Sequence, residues 1–378
     1  MTIQILAGDC IDMMAEMEPG SVHCVVTSPP YWHLRDYGVE GQIGLEDTPG
    51  EYVEKLVEVF RHVWRVLRDD GVMWVNLGDC YGCGGNGSRD PQRWPRQSRN
   101  DHRIQHRKTS GVRIKDLVGI PWRVALGLQA AGWYLRQEIT WCKRNGMPES
   151  TTDRPTSMTE KVFLLTKQPR YFYDAEAVRV PGAIPAGTRA AKGSNVRSDL
   201  KDVNGRPPEY WDYTGTRNLW NYWLISTKPY KDAHFATFPP EIPETCIKAG
   251  TSEHGCCPEC GAPWERIVES IPDHSRGEGL TPKDNHQPGG GSVSHESPLC
   301  SIHTTTGWRP TCTCDAGSPI PCTVLDPFGG AGTTGLVADR LGRDAVLIEL
   351  KQEYAEMARH RIKDDCPLFP SVAEEATP

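Results

Sequence analysis

Thr27-Ser28-Pro29-Pro30-Tyr31-Trp32 brings a hydroxyl, two fixed carbonyls and a large flat ring together directly after an apolar run, Val22 to Val26. The run reads as a short buried strand, and two prolines stop its ladder at once. The polar groups therefore sit at a strand end, where open α/β sheets bind ligands. A Pro-Pro turn offers carbonyls for which no prolyl N–H competes, Ser28 offers a hydroxyl, and Tyr31 offers a face for stacking. The set suits an exocyclic amino group on a flat heterocycle. Read alone, it is equally a proline turn with a core tyrosine.

A second stretch changes that balance. Thr323-Val324-Leu325 reads as a buried strand running into Asp326-Pro327-Phe328-Gly329-Gly330-Ala331-Gly332-Thr333-Thr334, with a helix from Gly335 to Leu341 behind it. Small residues at a strand–helix junction let a ligand approach the backbone closely. The next strand, Asp344 to Leu347, ends in Ile348-Glu349, and Glu349 lies 23 positions after Asp326. That is close to the spacing of about 20 residues at which an acid meets a ribose hydroxyl in nucleotide-binding units.

Cysteines form a third constellation. The chain has 14, and no basic-then-apolar N-terminal segment of the secretory type, so a cytoplasmic, reducing setting is expected. There, Cys257-x-x-Cys260-Gly261 and Cys312-Thr313-Cys314 read as two halves of a tetrahedral thiolate shell for structural Zn²⁺. Cys256, Cys300 and His303 could replace any of the four.

The remaining pattern places these groups. Over 378 residues with net charge −7, no global field draws in nucleic acid, and no run reaches the roughly 20 apolar residues that span a bilayer. Ile3 to Leu6 reads as a strand, followed by a turn through Asp9, which could hold a ligand or cap the helix to Met17. The periodicity predicts a helix over Glu51–Arg68 ended by Gly71, then a strand over Val72–Leu77. It predicts a further helix from Pro121 to Ala131. Strands are expected at Tyr134–Trp141, Glu160–Thr166 and Trp220–Ile225, with helices running to about Ala249 and over Glu353–Ile362. Alternating strands and helices predict an α/β fold, with a mostly parallel sheet and helices on both faces. Between Asn86 and Lys115 nine Lys/Arg face two Asp, including Arg89, Arg93, Arg96 and Arg99. With Trp94 present, this is a phosphate-seeking loop or a solvated linker.

Ser28-Pro29-Pro30-Tyr31 ahead of Asp326-Pro327-Phe328-Gly329-Gly330-Ala331-Gly332-Thr333 resembles the DNA amino-methyltransferases that use S-adenosyl-L-methionine, in the permuted class whose catalytic motif precedes the cofactor motif. Phe235 to Pro240 resembles the segment of that family that contacts the cofactor. The resemblance covers Ile3–Thr166 and Trp220–Ile362 without the insertions. It implies a Rossmann-like methyltransferase sheet. Asp326, Phe328, Gly329, Gly330, Gly332 and Thr333 would form the cofactor loop, with Glu349 on the ribose hydroxyls. Thr237 and Phe238 would flank the methionine or adenine end, with Asp9 reaching the adenine. Ser28 and the Pro29 carbonyl, in the turn completed by Pro30, would accept from the target amine. Tyr31 would stack on the flipped base, and Lys143 would be a candidate backbone contact.

The implied organisation has a catalytic part over 1–174 with a mobile basic loop at 82–112, and a target-recognition insertion at 175–221. A cofactor part follows over 222–253 and 318–364, a zinc ribbon over 254–317, and a disordered tail over 365–378. The partner would be double-stranded DNA and not a membrane, with a homodimer left open. In the family, serine before Pro-Pro is commoner for cytosine N4, and aspartate or asparagine for adenine N6. Ser28 therefore favours cytosine N4, with adenine N6 as runner-up. Two other classes remain: a catalytically inactive zinc-containing nucleic-acid binding protein, and an RNA or protein N-methyltransferase.

Overall fold

The computed structural model describes residues 1–83, 111–181, 216–228, 237–272, 301–315 and 317–365, arranged as two compact units. The basic segment 84–110, residues 182–215 of the expected target-recognition insertion, Phe235, Cys300 and the tail after Asp365 lie outside the described residues.

The larger unit comprises Met1–Asp174, Trp220–Trp264 and the chain from Pro310 onward. Its elements are β1 (Ile3–Ala7), α1 (Cys10–Glu16), β2 (Val22–Thr27), α2 (Pro49–Val66), β3 (Leu67–Leu77), α3 (Ile120–Ala130), β4 (Tyr134–Lys143) and β5 (Thr159–Thr166). The smaller unit, Ala175–Leu219 with Glu265–Arg309, carries β6 (Val180–Pro181) paired antiparallel with β7 (Thr216–Arg217). The larger unit resumes with β8 (Tyr222–Ile225) and α4 (Glu241–Gly250). In the smaller unit β9 (Glu265–Pro272) and β10 (Ser301–Arg309) form an antiparallel ladder, closed at one end by Arg309 on Glu265 at 2.8 Å. β11 (Thr323–Asp326), α5 (Thr333–Arg340), β12 (Asp344–Glu349) and α6 (Gln352–Asp365) complete the larger unit.

Its sheet has the order β1-β12-β11-β2-β3-β5-β4-β8. Pairings from β1 through β3 are all parallel, as expected of strands joined by helical crossovers. β2 and β11 carry completely buried aliphatic runs, as strands covered on both faces must. From β11 the chain turns toward β12, and from β2 toward β3, so the connections diverge between these neighbours and open a crevice at their carboxyl ends.

Two details depart from the sequence reading. β5 runs antiparallel between β3 and β4, because the chain from β4 returns through residues 144–158 without a crossover helix. Gly71 does not end α2, which stops at Val66, but lies inside β3. A Cβ there would come within 2.6 Å of Leu67 Cδ1 and 2.9 Å of the His23 carbonyl, so the position needs glycine for close approach rather than for a cap.

Local chemistry anchors the site's framework. α2 begins in a capping box: Thr48 Oγ1 accepts from Glu51 N at 3.2 Å, and the Glu51 carboxylate accepts from Thr48 N at 3.1 Å. Its buried face includes Tyr52, whose hydroxyl donates to the Pro30 carbonyl at 2.8 Å. At the end of β3, Asp79 Oδ1 accepts from Gly119 N and Ile120 N at 3.0 Å each, supplying the cap that Gly119 cannot give α3. No helix among the described residues is long and apolar enough to cross a membrane.

Candidate active site

The two motifs, about three hundred positions apart, end on neighbouring strands. Thr27 Oγ1 donates to Asp326 Oδ1 at 2.7 Å, directly joining the last residues of β2 and β11. Above that junction lies a cavity of about 850 Å³. Ser28, Pro29, Pro30 and Tyr31 line it, and so do Phe328, Gly329, Gly330, Thr333 and Glu349. Asp9, Thr237 and Phe238 complete the sequence-derived set on its wall. The volume lies near the upper end of ordinary ligand sites, about 300–1,000 Å³, so a nucleoside-sized group and a base can share it.

Asp326 and Gly332 stand behind the wall rather than on it. Asp326 is 1% exposed and accepts from Thr27, from Thr334 Oγ1 at 2.6 Å and from Phe328 N at 3.1 Å. It shapes the loop from below. Burial pushes its carboxyl from 3.8 up to about 6, against the hydrogen bonds that pull it down. A carboxyl raised in the folded state holds its proton more tightly there than in the unfolded chain. Its contribution to stability is therefore lost as pH rises from about 4 to about 6. Asp326→Asn should flatten that slope by up to ~3 kcal/mol, at a cost of about 1 kcal/mol in hydrogen bonding at every pH. Urea unfolding at pH 4 and 7 measures it; an unchanged slope would assign the pH dependence elsewhere.

The loop itself is glycine-built for approach. A Cβ on Gly329 would lie 3.1 Å from Leu347 Cβ, and Gly332, at φ +73°, would meet Ala358 Cβ at 2.8 Å. Glu349 closes the cradle: one carboxylate oxygen accepts from Gly330 N at 2.8 Å and the other from Lys351 N at 2.9 Å. Burial raises its pKa, and these two N–H groups oppose the rise. Each oxygen retains lone pairs for a diol. Asp9 caps α1 through Ile11 N at 2.8 Å from a place on the cavity wall.

The opposite wall holds groups that the motifs do not name. Because β5 is antiparallel, its first residues lie beside the last residues of β3 and β4: Glu160 pairs with Trp141, and Val162 with both Asn76 and Ile139. Alternation along the strands puts Asn76, Glu160 and Trp141 on one face. Tyr31 Oη donates to Glu160 Oε2 at 2.6 Å, and Asn76 Nδ2 donates to the Tyr31 hydroxyl at 2.8 Å. Burial, then the charge of Glu160, pushes the Tyr31 phenol well above its usual range, so it remains a donor. Lys143, expected on a nucleic-acid backbone, instead pairs with Glu160 inside the cavity and lies 5.0 Å from the Trp141 ring centroid. Gly78 gives Tyr31 its place, since a Cβ there would fall 2.6 Å from Tyr31 Cε2. Cys10 and Cys24 are buried; burial drives the Cys10 thiol up to about 12 and the Cys24 thiol up as well, which disfavours the thiolate that a nucleophile would need.

The four expected cysteines meet away from the cavity. The sulfurs of Cys257, Cys260, Cys312 and Cys314 lie within 4.8 Å of one another. A tetrahedral Zn–S shell at 2.3 Å puts sulfurs roughly 3.8 Å apart, so small side-chain movements suffice to close it. Gly261 turns the first knuckle at φ +70°, with its N–H on the Cys257 carbonyl at 2.8 Å. The Cys260 backbone N–H pulls the Cys257 thiol down to about 7, while the Cys260 side chain pushes the Cys314 thiol up to about 12, so the four sulfurs do not ionise alike. Of the substitutes, His303 lies in the smaller unit with Nδ1 3.2 Å from Glu176, and Cys256 groups instead with His23 and Cys322. That trio is a clasp: His23 Nδ1 accepts from Thr323 N at 3.0 Å, which leaves Nε2 protonated to donate to the Gly261 carbonyl at 2.8 Å. Both ring nitrogens are thereby occupied.

Comparison with known proteins follows the same lines. A family model described as DNA methylase (N6_N4_Mtase) matches residues 22–257 and 316–360. The Type II methyltransferase M.Cfr9I of Citrobacter freundii is 35% identical over 361 residues, covering 96% of this chain and 88% of that protein. The Type II methyltransferase M.SmaI of Serratia marcescens is 35% identical over 362 residues, covering 95% of this chain and 90% of its own. Among solved structures, PvuII DNA methyltransferase (cytosine-N4-specific) matches with a TM-score of 0.52 at 17% identity, covering 97% of this chain and 91% of that one. This last likeness is one of fold.

Proposed function

This chain belongs to the DNA methylase family of N6/N4 methyltransferases, and on that premise we propose that it transfers a methyl group from S-adenosyl-L-methionine to the N4 amino group of a cytosine flipped out of duplex DNA. The observation that carries the reading is one cavity lined by both Ser28-Pro29-Pro30-Tyr31 and the Phe328–Gly330 cradle with Glu349. The cradle fits the cofactor: Gly329 and Gly330 line the cavity with no side chain to fill it, and a carboxylate with spare lone pairs stands at the end of β12. Phe328, Gly329, Gly330 and Glu349 would hold the adenosine end, with Thr237 and Phe238 beside the methionine end. When bound, the sulfonium supplies an activated methyl group.

The chain's residues then have three tasks. The cavity takes in the extruded base, which an enzyme acting on an exocyclic amine must first remove from the stack. Tyr31 provides the stacking face. Ser28 Oγ and the Pro29 carbonyl accept from the amino hydrogens; among the described residues no donor occupies that carbonyl. Drawing on those hydrogens localises a lone pair otherwise delocalised into the ring, and holding it in line with the methyl group can lower the barrier by several kcal/mol. Serine at the head of the motif supports cytosine over adenine. The Cys257, Cys260, Cys312 and Cys314 cluster would bind Zn²⁺ in a structural role.

Expression in a methylation-free host, followed by sequencing that distinguishes modified bases, tests the reading. N4-methylcytosine at a defined sequence is expected. N6-methyladenine would overturn the base assignment, and unmodified DNA the enzymatic one.

A further inference from the structure

Glu160 belongs to no motif, yet donors converge on it from the whole catalytic wall. Its Oε2 accepts from the Tyr31 hydroxyl at 2.6 Å and from Asn76 Nδ2 at 2.9 Å, while Oε1 accepts from the Lys143 ammonium. The chemistry fixes each direction, because a carboxylate only accepts and an ammonium only donates. Tyr31 must therefore donate its hydroxyl hydrogen bond to Glu160, and Asn76 must present its NH₂ rather than its carbonyl. Asn76 is 3% exposed, and among the described residues its Oδ1 has no hydrogen-bond partner. An unpaired buried carbonyl costs about 1–3 kcal/mol. An apolar side chain would avoid that cost, so the amide is held here for what its other end does.

We propose that Glu160 is a positioning residue for methyl transfer: by fixing the Tyr31 hydroxyl and the Asn76 amide together, it sets the ring on which the target base stacks. The ring is then located at two points, by Gly78 along its flank and by Glu160 at its tip. Lys143 neutralises the carboxylate that this arrangement places in the cavity wall. Ser28 Oγ lies 3.4 Å from the same Tyr31 oxygen, so the acceptor of the amino group is referenced to the same anchor. A displacement of about 1 Å in such a frame costs on the order of 100-fold in rate.

The inference rests on the methyltransferase reading, and the experiment separates the two. Initial rates of labelled methyl transfer to genomic DNA from a methylation-free host are measured for the wild type, Glu160→Gln, Tyr31→Phe and the double variant. S-adenosylmethionine affinity is measured by calorimetry. Each single change should lower kcat by about 10–100-fold, with the KM for DNA and the cofactor affinity within about threefold of wild type. The double variant should lose no more than the worse single, because both changes act through the same Tyr31–Glu160 contact. Glu160→Gln retaining more than a third of kcat, losses that multiply, or cofactor affinity falling in step with kcat would each overturn the positioning role. An inactive wild type would sink the methyltransferase reading and this inference with it.

Discussion

Tyr31→Ala is expected to reduce methyl transfer by at least 1,000-fold, roughly, while cofactor affinity stays within a few-fold of wild type. Stacking of one base on an aromatic ring contributes about 1–3 kcal/mol, and extrusion from the duplex costs a few kcal/mol. Losing the ring therefore depletes the extruded state that the reaction needs. The same change leaves Glu160 Oε2 without its closest donor, at 2.6 Å, and removes the group beside Ser28. The cofactor cradle is built from other elements, β11, β12 and the loop from Phe328 to Gly332, whose Gly329 and Gly332 pack closely on Leu347 and Ala358 rather than on Tyr31. Labelled methyl transfer and calorimetric cofactor binding, measured on the same preparation, check the split. Equal loss of both would show that Tyr31 supports the fold rather than the base.

How far this site was legible in the sequence depended on whether its parts were local. The turn after β2 and the loop after β11 each consist of consecutive residues, so prolines and glycines announce them, and the spacing of Glu349 follows from one strand–helix–strand unit. Asn76, Glu160 and Lys143 are not local in that sense. Their meeting depends on β5 running antiparallel, which brings the start of one strand against the ends of two others. Periodicity reports which face a residue takes but not which way its strand runs. The direction had a faint signal: the segment between Lys143 and Thr159 is too rich in turn formers to supply the helix that a parallel return needs. Gly71 shows the complementary failure. A glycine just past a helical stripe reads as a cap, and only the packing of Leu67 and the His23 carbonyl reveals that it is a close approach. The cysteine spacing was informative about which four sulfurs meet because each pair is local in the chain, although it did not reveal that His23 would join the knuckle to β2.

That join gives the zinc proposal its largest consequence. Elemental analysis of the purified full chain should find about one zinc per molecule, and Cys257→Ser should abolish most of it. Structural zinc in small domains is worth on the order of 10 kcal/mol. Here the surrounding fold would offset part of the loss, so destabilisation by several kcal/mol is expected. It would not stay local. The Gly261 carbonyl at the knuckle accepts from His23 on β2, and the Cys260 carbonyl accepts from Arg68 on β3 at 2.7 Å. The same His23 ring holds Thr323 N at the start of β11. A knuckle released from its metal would thus loosen strands that lead to Ser28, Asn76 and Asp326 alike. Chelation should therefore lower the thermal midpoint and the transfer rate together, and both should return on adding back Zn²⁺. A chain containing no metal, or one whose midpoint is unmoved by Cys257→Ser, would reduce the four thiols to a surface cluster without a ligand.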